Sequence, residues 1–260
     1  MEKTEISIQN AAGQILASGQ ERIWYDAPYE PGDAVSITVP QPGFYVICLE
    51  DTMGEQFVYM KERTFRFEIP FEEARLCYNP RAFVGAAHYF SARPATDAEA
   101  HMHRDLARNV YDCHGNTVCF PHASANVETR GESVFAARNA IDGVIAPWCH
   151  GAYPFTSWGI NRDPNASWRL DFGRKVRVDA LTLYLRADFP HDAWWNEVRL
   201  SLSDGQLLHL PLEKTGQAQH FDLQGAEIEW LVLNQLKKAD DPSPFPALTQ
   251  VQVWGCEVNH

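Results

Sequence analysis

Hydrophobic and polar positions alternate along most of the chain, which is the pattern expected of half-buried β-strands. Leu181, Leu183 and Leu185 are separated by Thr182 and Tyr184, and later stretches repeat the same period of two. Successive side chains on a strand point to opposite faces, so such segments bury one face and expose the other. The pattern predicts strands at 168–172, 181–186, 198–203, 208–212 and 250–255.

The first part of the chain also consists of short strand-like runs separated by turn sequences. AVSITV, FYVICL and FRFEIP fall within the first 70 residues, and PGD, QPG and DTMG lie between such runs. Gly, Pro and Asp favour turns because they supply or tolerate the backbone angles that turns require. Short strands at this spacing are typical of an antiparallel sandwich rather than of alternating β-α units.

One helical segment, TDAEAHMHRDLARNV at 96–110, interrupts the strands. The Thr or Asp at its start can cap a helix, and Met102, Leu106 and Val110 recur at a spacing of four. A chain of 260 residues is long enough for two domains. The predicted organisation is an N-terminal β-sandwich domain over 1–95, a helical connector over 96–110 and a second β domain over 111–260.

The order of motifs in the second half resembles a known family. ARNAIDG at 137–143 is followed by SWRLDFG at 167–173, by an LSDG turn at 202–205 and by a closing QVQVWG. In this order they resemble the discoidin, or coagulation-factor type C, jelly roll, which is shared by family-32 carbohydrate-binding modules within the galactose-binding-like folds. The resemblance covers residues 106–257. It implies an all-β protein whose C-terminal sandwich is a discoidin-like jelly roll with ligand-binding loops at one end.

The stretch RADFPHDAWW at 186–195 concentrates charges and aromatic rings directly after a predicted strand. Adjacent residues of an extended chain point to opposite faces, so one tryptophan of the pair is expected to be exposed. Arg, Asp and His can hydrogen-bond sugar hydroxyls, and an indole ring can pack on the apolar face of a pyranose. Alternatively, Trp194 packs at the end of the sandwich, and Arg186 and Asp188 form an ordinary surface ion pair. The candidate ligand-binding residues are Arg186, Asp188, His191, Asp192, Trp194 and Trp195.

A second aromatic stretch, WCHGAYPFTSWGINR at 148–162, follows the Asp-Gly turn and is longer than the resemblance implies for this position. Trp148 or Trp158 can be a core tryptophan of the jelly roll. The remainder can cover the end of the sandwich or form a second wall of the same cleft, and we favour the shared cleft. The candidate ligand-binding residues in this stretch are His150, Tyr153 and Trp158.

The resemblance also implies a structural calcium ion beside the Asp-Gly turn, shared with an acidic residue of the last strand. Asp142 is present, but the position that matches the second acid is Gln250, and the residues after the turn are Val-Ile-Ala-Pro. Calcium affinity depends on the charge of its ligands. The implied calcium site at Asp142 and Gln250 is therefore a weak one, and no other cofactor is implied.

Charge and cysteine content narrow the range of partners and compartments. Asp and Glu number 34 against 22 Lys and Arg, giving a net charge of -12 that repels nucleic-acid phosphates and anionic lipids. The predicted partner is therefore a saccharide or glycan, not a nucleic acid or a membrane. Six cysteines without a disulfide framework, and no signal peptide, predict a cytoplasmic protein as written, or an extracellular one if a leader was removed.

The predicted function is non-catalytic carbohydrate binding through loops at one end of the C-terminal jelly roll. Glycosidases hold two carboxylates at a set separation, and nothing singles out such a pair among the 34 acidic residues. Two alternatives stay open: a glycan-active lyase or hydrolase with a site at the domain interface, and a protein-interaction module. A buried carboxylate pair with a perturbed pKa would favour the enzyme, and a broad apolar patch would favour a protein partner. The sequence leaves the oligomeric state open.

Overall fold

The computed structural model describes residues 3–258, and within them the fold is almost entirely β, in three antiparallel sheets. The predicted all-β class is confirmed. No helix in this part of the chain is long and apolar enough to cross a membrane. The strands are β1 (Glu5–Gln9), β2 (Ile15–Gln20), β3 (Arg22–Tyr25), β4 (Ala34–Thr38), β5 (Gly43–Cys48), β6 (Gln56–Met60), β7 (Thr64–Glu68), β8 (His88–Pro94), β9 (Arg104–Asp105), β10 (Cys119–Phe120), β11 (His122–Ala125), β12 (Trp158–Gly159), β13 (Trp168–Leu185), β14 (Trp195–Leu202), β15 (Leu207–Pro211), β16 (Gln219–Lys238) and β17 (Ala247–Glu257). The helical elements are α1 (Asp97–Ala100) and the 3-10 turns Glu72–Arg75, Thr129–Gly131, Ser133–Phe135 and Ala137–Ile141.

Two sheets enclose the N-terminal core. One has the order β2-β1-β4-β7 and the other the order β10-β6-β5-β8-β3. In β7, Phe65 and Phe67 are buried between exposed neighbours, as the period of two predicts. Both sheets contribute side chains to one core, for example Ile37 from β4 and Ile47 from β5. Each such side chain contributes about 1.5–3 kcal/mol when fully buried, so the alternating faces hold the two sheets together.

The connector between the two halves is helical for only one turn. Thr96 and Glu99 form a capping box at the start of α1, but the helix ends at Ala100. The chain then extends as β9 and pairs with β17. The predicted helix over 96–110 is therefore wrong beyond Ala100, because strand pairing and the burial of Leu106 outweigh the weak local propensity.

The segment after β9 contributes to both cores. Leu106 and Ala107 pack in the C-terminal core. Val110, Tyr111 and Cys119 pack in the N-terminal core, where β10 pairs with β6. The predicted second domain therefore begins with a segment that fills the first core, and the domain division itself stays a prediction.

The third sheet forms the C-terminal half around two long strands, β13 with 18 residues and β16 with 20. Its order is β12-β17-β13-β16-β14-β15, with β11 added to β13 and β9 added to β17. The register of β13 shifts between Val178 and Ala180 against both neighbours, and such bulges bend a strand so that it can curve around a core. The strands predicted at 168–172 and 181–186 are the two ends of the single strand β13, and the other three overlap β14, β15 and β17, because alternation is a local signal. No strand was predicted at β16.

Asp105 of β9 provides a prediction about pH dependence. Burial raises the pKa of its carboxyl to about 6, and hydrogen bonds from the N–H groups of Val253 and Ala107 offset this only in part. The folded protein thus keeps a proton that the unfolded chain releases near pH 4, so stability falls as pH rises from about 4 to about 6. We expect Asp105→Asn to raise the free energy of unfolding at pH 7 by up to about 3 kcal/mol, measured by urea denaturation.

The difference between Asp105→Asn and the wild type should shrink towards zero at pH 4, where the native carboxyl is already protonated. Asp51→Asn is the matched control, because Asp51 is exposed, and its effect should stay within about 0.5 kcal/mol at every pH. An Asp105→Asn protein that is less stable than the wild type at pH 7 would show that the carboxylate charge is favourable in the fold.

Candidate functional site

A pocket of about 230 Å³ opens at one end of the third sheet, where several loops meet. Gly159 of β12 pairs with Ala247 of β17, and the backbone N–H of Arg186 donates to the Ala247 carbonyl at 3.0 Å. These pairings place the segment after β12, the loop after β13 and the loop before β17 side by side. A Cβ on Gly159 would lie 2.5 Å from Thr129 Oγ1, so glycine permits the 129–135 segment to close the fourth side.

A buried ion pair between Arg186 and Asp192 lines this pocket. Arg186 is 5% exposed and Asp192 is 1% exposed. Arg186 Nη2 donates to Asp192 Oδ1 and to the carbonyl oxygen of Phe245. Burial raises the pKa of Asp192 despite its hydrogen bond to Arg186. Among the described residues, Arg186 Nε and Asp192 Oδ2 have no hydrogen-bond partner, which is costly for buried atoms and leaves one donor and one acceptor unused.

Two phenylalanines supply the apolar surfaces of the pocket. The Phe135 ring centroid lies 5.8 Å from the guanidinium carbon of Arg186, and that of Phe245 lies 4.4 Å from the guanidinium carbon of Arg162. Phe135 is buried and Phe245 is half-buried, so Phe245 is the more accessible wall. The pocket therefore combines flat apolar surfaces with cationic donors held beside them.

A group of one histidine and two carboxylates at the pocket edge could hold a metal ion. His150, Asp188 and Asp192 each offer one ligand atom, and these atoms all lie within 4.8 Å of one another. His150 Nδ1 lies 2.6 Å from Asp188 Oδ2. The Asp188 carbonyl accepts the backbone N–H of Asp192 at 3.0 Å, so one turn of chain brings both carboxylates together.

The structure brings most of the predicted polar residues together. His150, Arg186, His191 and Asp192 all line the pocket, and Asp188 joins them through His150. The partners differ from the predicted surface pair, because Arg186 contacts Asp192 and Asp188 contacts His150. The Arg186 pair is therefore buried rather than solvent-exposed.

The predicted tryptophans do not line the pocket. Trp195 is 2% exposed and Trp158 is fully buried, with their ring centroids 6.3 Å apart in the core. Trp194 is half-buried and packs against the same core, and its carbonyl accepts the N–H of Ala239. The expectation of an exposed tryptophan in this pair is therefore wrong, because Trp195 lies inside the core and Trp194 packs against the core from its edge.

Tyr153 faces a different cavity. Its backbone N–H donates to the carbonyl of Leu76 in the N-terminal half, at 2.9 Å. Its side chain lines a cavity of about 180 Å³ together with Arg138 and Asp142. The 148–162 stretch is therefore divided, with His150 at the pocket and Tyr153 against the N-terminal half.

The residues around the Asp-Gly turn do not fit the implied calcium site. Gln250 Oε1 accepts the N–H of Gly143 at 3.2 Å, so its amide oxygen is already used. Burial raises the pKa of Asp142 to about 6, and the charges of Arg138 and Arg108 oppose that rise. A Cβ on Gly143 would lie 2.9 Å from Arg108 Nε, so a guanidinium lies against the turn. Calcium needs six to eight oxygen ligands, whereas two guanidinium groups, those of Arg108 and Arg138, lie close to this turn.

The alternative prediction of an enzyme would place its active site between the two halves, where the structure has a cavity of about 500 Å³. Burial raises the pKa of Glu128, but hydrogen bonds from His114 and from the N–H of Ala137 outweigh this and lower it. Glu73 accepts the N–H of Ser133 at 2.7 Å. A general acid needs the opposite pKa shift from that of Glu128. Glu128 and Glu73 therefore serve as hydrogen-bond acceptors that join loops.

Four pocket residues carry no sequence signal that selects them: Phe135, Asn161, Arg162 and Phe245. Asn161 and Arg162 have φ angles of 47° and 63°, which are uncommon for residues other than glycine and are not marked by any turn sequence. Phe245 lies between two prolines in a stretch without alternation. Only the pairing of β12 with β17 brings it to the pocket.

A scan against protein-family models finds no match, and neither does a search of curated proteins. Solved structures do match. They include the family-32 carbohydrate-binding module of C. perfringens NanJ in complex with galactose, at 14% identity and TM-score 0.42, over 59% of this chain and 99% of that one. A Streptococcus pneumoniae fucose-binding module matches at 14% identity and TM-score 0.40, over 59% and 98%. The lectin domain of lectinolysin with Lewis B antigen matches at 19% and 0.40, over 57% and 94%.

About 60% of the chain matches family-32 and related lectin domains. The matched structures are of the predicted galactose-binding-like kind, over part of the chain. The roles of the pocket residues rest on the contacts described above.

Proposed function

We propose that this protein binds carbohydrate and holds one sugar ring in the pocket of about 230 Å³. The observation that carries the proposal is the buried Arg186–Asp192 pair, which has an unpartnered donor and an unpartnered acceptor beside aromatic walls. A sugar presents hydroxyls that both donate and accept, together with an apolar face of C–H groups. The pocket supplies a partner for each of these surfaces.

Each pocket residue has a distinct role in this proposal. Arg186 Nε donates to a hydroxyl oxygen, and Asp192 Oδ2 accepts a hydroxyl proton. The Phe245 ring packs against the C–H face, and the exposed side chains of His150 and Asn161 contact the remaining hydroxyls at the rim. The volume lies below the roughly 300–1,000 Å³ of pockets for drug-sized ligands, which favours one terminal ring over an extended chain. Affinity for such a ring is expected near millimolar, about 4 kcal/mol.

Phe245→Ala tests the pocket. It removes the accessible aromatic wall but keeps the backbone carbonyl that holds Arg186. A glycan array should first identify the glycans that the wild type binds at high protein concentration. Isothermal titration with the best of them is then expected to show about tenfold weaker binding by Phe245→Ala, which corresponds to about 1.4 kcal/mol.

Trp24→Ala is the matched control, because Trp24 is 71% exposed on β3 of the N-terminal half and lies outside the pocket. Its glycan affinity should equal that of the wild type. The proposal fails if the wild type binds no glycan on the array. It also fails if Phe245→Ala binds as the wild type does while Trp24→Ala has lost binding, since the site would then lie on the N-terminal sheet.

A further inference from the structure

The arrangement of His150, Asp188 and Asp192 is close to what a single metal ion requires. Their ligand atoms lie within 4.8 Å of one another. Ligands of a tetrahedral zinc ion, bound at about 2.0–2.2 Å, lie about 3.3 Å apart, so small side-chain rotations are sufficient. His150 and Asp188 have side chains that are 47% and 19% exposed, which leaves them room to rotate. The turn from Asp188 to Asp192 keeps the two carboxylates adjacent.

Asp192 supplies a second and independent indication of a bound cation. This carboxylate is 1% exposed, and its Oδ2 has no hydrogen-bond partner within residues 3–258. Its other oxygen is held by Arg186, which fixes the orientation of the group. Buried polar atoms are nearly always satisfied, and carboxylates that bind metals are commonly anchored through a hydrogen bond of their own. In the protein without sugar, a cation at Oδ2 would complete the coordination of this buried group, so a metal ion and a sugar hydroxyl would compete for this oxygen.

The local charge also favours a dication. Asp188 and Asp192 carry two negative charges and Arg186 carries one positive charge, so the group holds a net charge of about -1 when His150 is neutral. The whole chain has a net charge of -12, which adds a favourable long-range field. The guanidinium of Arg186 is directed to Oδ1, away from the unpartnered oxygen.

We propose that His150, Asp188 and Asp192 form a binding site for a divalent transition-metal ion of the zinc class. One imidazole nitrogen with two carboxylate oxygens matches Zn²⁺, whereas Ca²⁺ takes six to eight oxygen ligands. Three protein ligands leave at least one coordination position for water or for a ligand in the adjoining pocket. The site is distinct from the implied calcium site at the Asp-Gly turn, and its existence does not depend on carbohydrate binding.

The test is isothermal titration of the tag-free protein with ZnCl₂ and, separately, with CaCl₂ at pH 7, without sugar. We expect one equivalent of Zn²⁺ to bind, at least about tenfold more tightly than Ca²⁺. His150→Ala and Asp188→Asn should each weaken Zn²⁺ binding about tenfold or more. Co²⁺ should give a visible absorption band in the wild type that both variants lose. Asp192 is left unchanged because it anchors Arg186.

His103→Ala is the matched control. His103 Nε2 lies 3.1 Å from Asp179 Oδ2, so this is also an exposed histidine–aspartate pair, but it lies outside the three-residue group. Its Zn²⁺ affinity should equal that of the wild type. Absence of Zn²⁺ binding by the wild type, or unchanged binding by a folded His150→Ala protein, overturns the proposal. Glycan titrations repeated with EDTA test the sugar pocket separately, so one proposal can fail without the other.

Discussion

Replacing Arg186 with Met is expected to lower the free energy of unfolding by about 3–5 kcal/mol, because Asp192 would remain as a buried carboxylate without its partner. Asp192 is 1% exposed, and within residues 3–258 its side chain accepts a hydrogen bond from Arg186 alone. The substitution also removes the donor to the Phe245 carbonyl. Urea denaturation at pH 7 measures the loss.

The double variant Arg186→Met with Asp192→Leu separates stability from ligand binding. Replacing a whole buried ion pair by apolar side chains of similar size is often neutral or stabilising. The double variant should therefore recover most of the lost stability and still bind no glycan, since it lacks both the donor and the acceptor. Glycan affinity equal to that of the wild type would contradict the role proposed for the pair. A double variant as unstable as Arg186→Met would contradict the charge argument.

Replacing Asp112 with Ala should destabilise the protein by at least about 3 kcal/mol, because three donors would lose their acceptor at 1 kcal/mol or more each. Asp112 is fully buried. Its Oδ1 accepts from Asn116 Nδ2 at 3.0 Å and from His122 Nδ1 at 2.7 Å, and its Oδ2 accepts the N–H of Ala123 at 2.8 Å. These bonds hold together the segment that contributes to both cores, and thermal or urea unfolding measures the effect.

The imidazole of His122 gives the Asp112 prediction a second measurement. Burial lowers the pKa of His122, but the hydrogen bond and charge of Asp112 outweigh this and raise it. In a folded Asp112→Ala protein, the His122 pKa measured by NMR should therefore fall. Asp26→Ala is the control, because Asp26 is exposed, and a change within about 0.5 kcal/mol is expected. An unchanged His122 pKa would show that Asp112 does not interact with the imidazole as described.

The polar residues of the candidate site were largely accessible to sequence reasoning, and its aromatic residues were not. Arg186, His191 and Asp192 follow a clear alternating strand, so their place at one end of the jelly roll could be inferred. The predicted tryptophans do not line the pocket, because Trp158 and Trp195 lie in the core and Trp194 packs against it. Alternation along a strand does not show which distant loop will supply the aromatic wall. Phe245 comes from the loop before β17 and lies 59 positions from Arg186 in the sequence. The carbonyl oxygen of Phe245 accepts a hydrogen bond from the Arg186 guanidinium.

The proposed metal-binding group of His150, Asp188 and Asp192 was likewise not predictable from the sequence. His150 and Asp188 are 38 positions apart, with no spacing motif between them. Asp188 and Asp192 are close in sequence, but an Asp-rich loop is usually solvated surface. Only the turn that bonds the Asp188 carbonyl to the Asp192 N–H, and the packing of the 148–162 stretch beside it, bring three ligand atoms together.

The period of two along the chain was sufficient to predict the β class and strands within β13, β14, β15 and β17, because alternation acts locally on each strand, but it did not predict β16. The motif order likewise indicated a galactose-binding-like jelly roll. The tertiary structure alone decided the short extent of α1, the shared segment between the cores, the burial of both Trp158 and Trp195 and the aromatic walls of the pocket. These depend on contacts between residues far apart in sequence, whose pairing is set by which strands lie side by side.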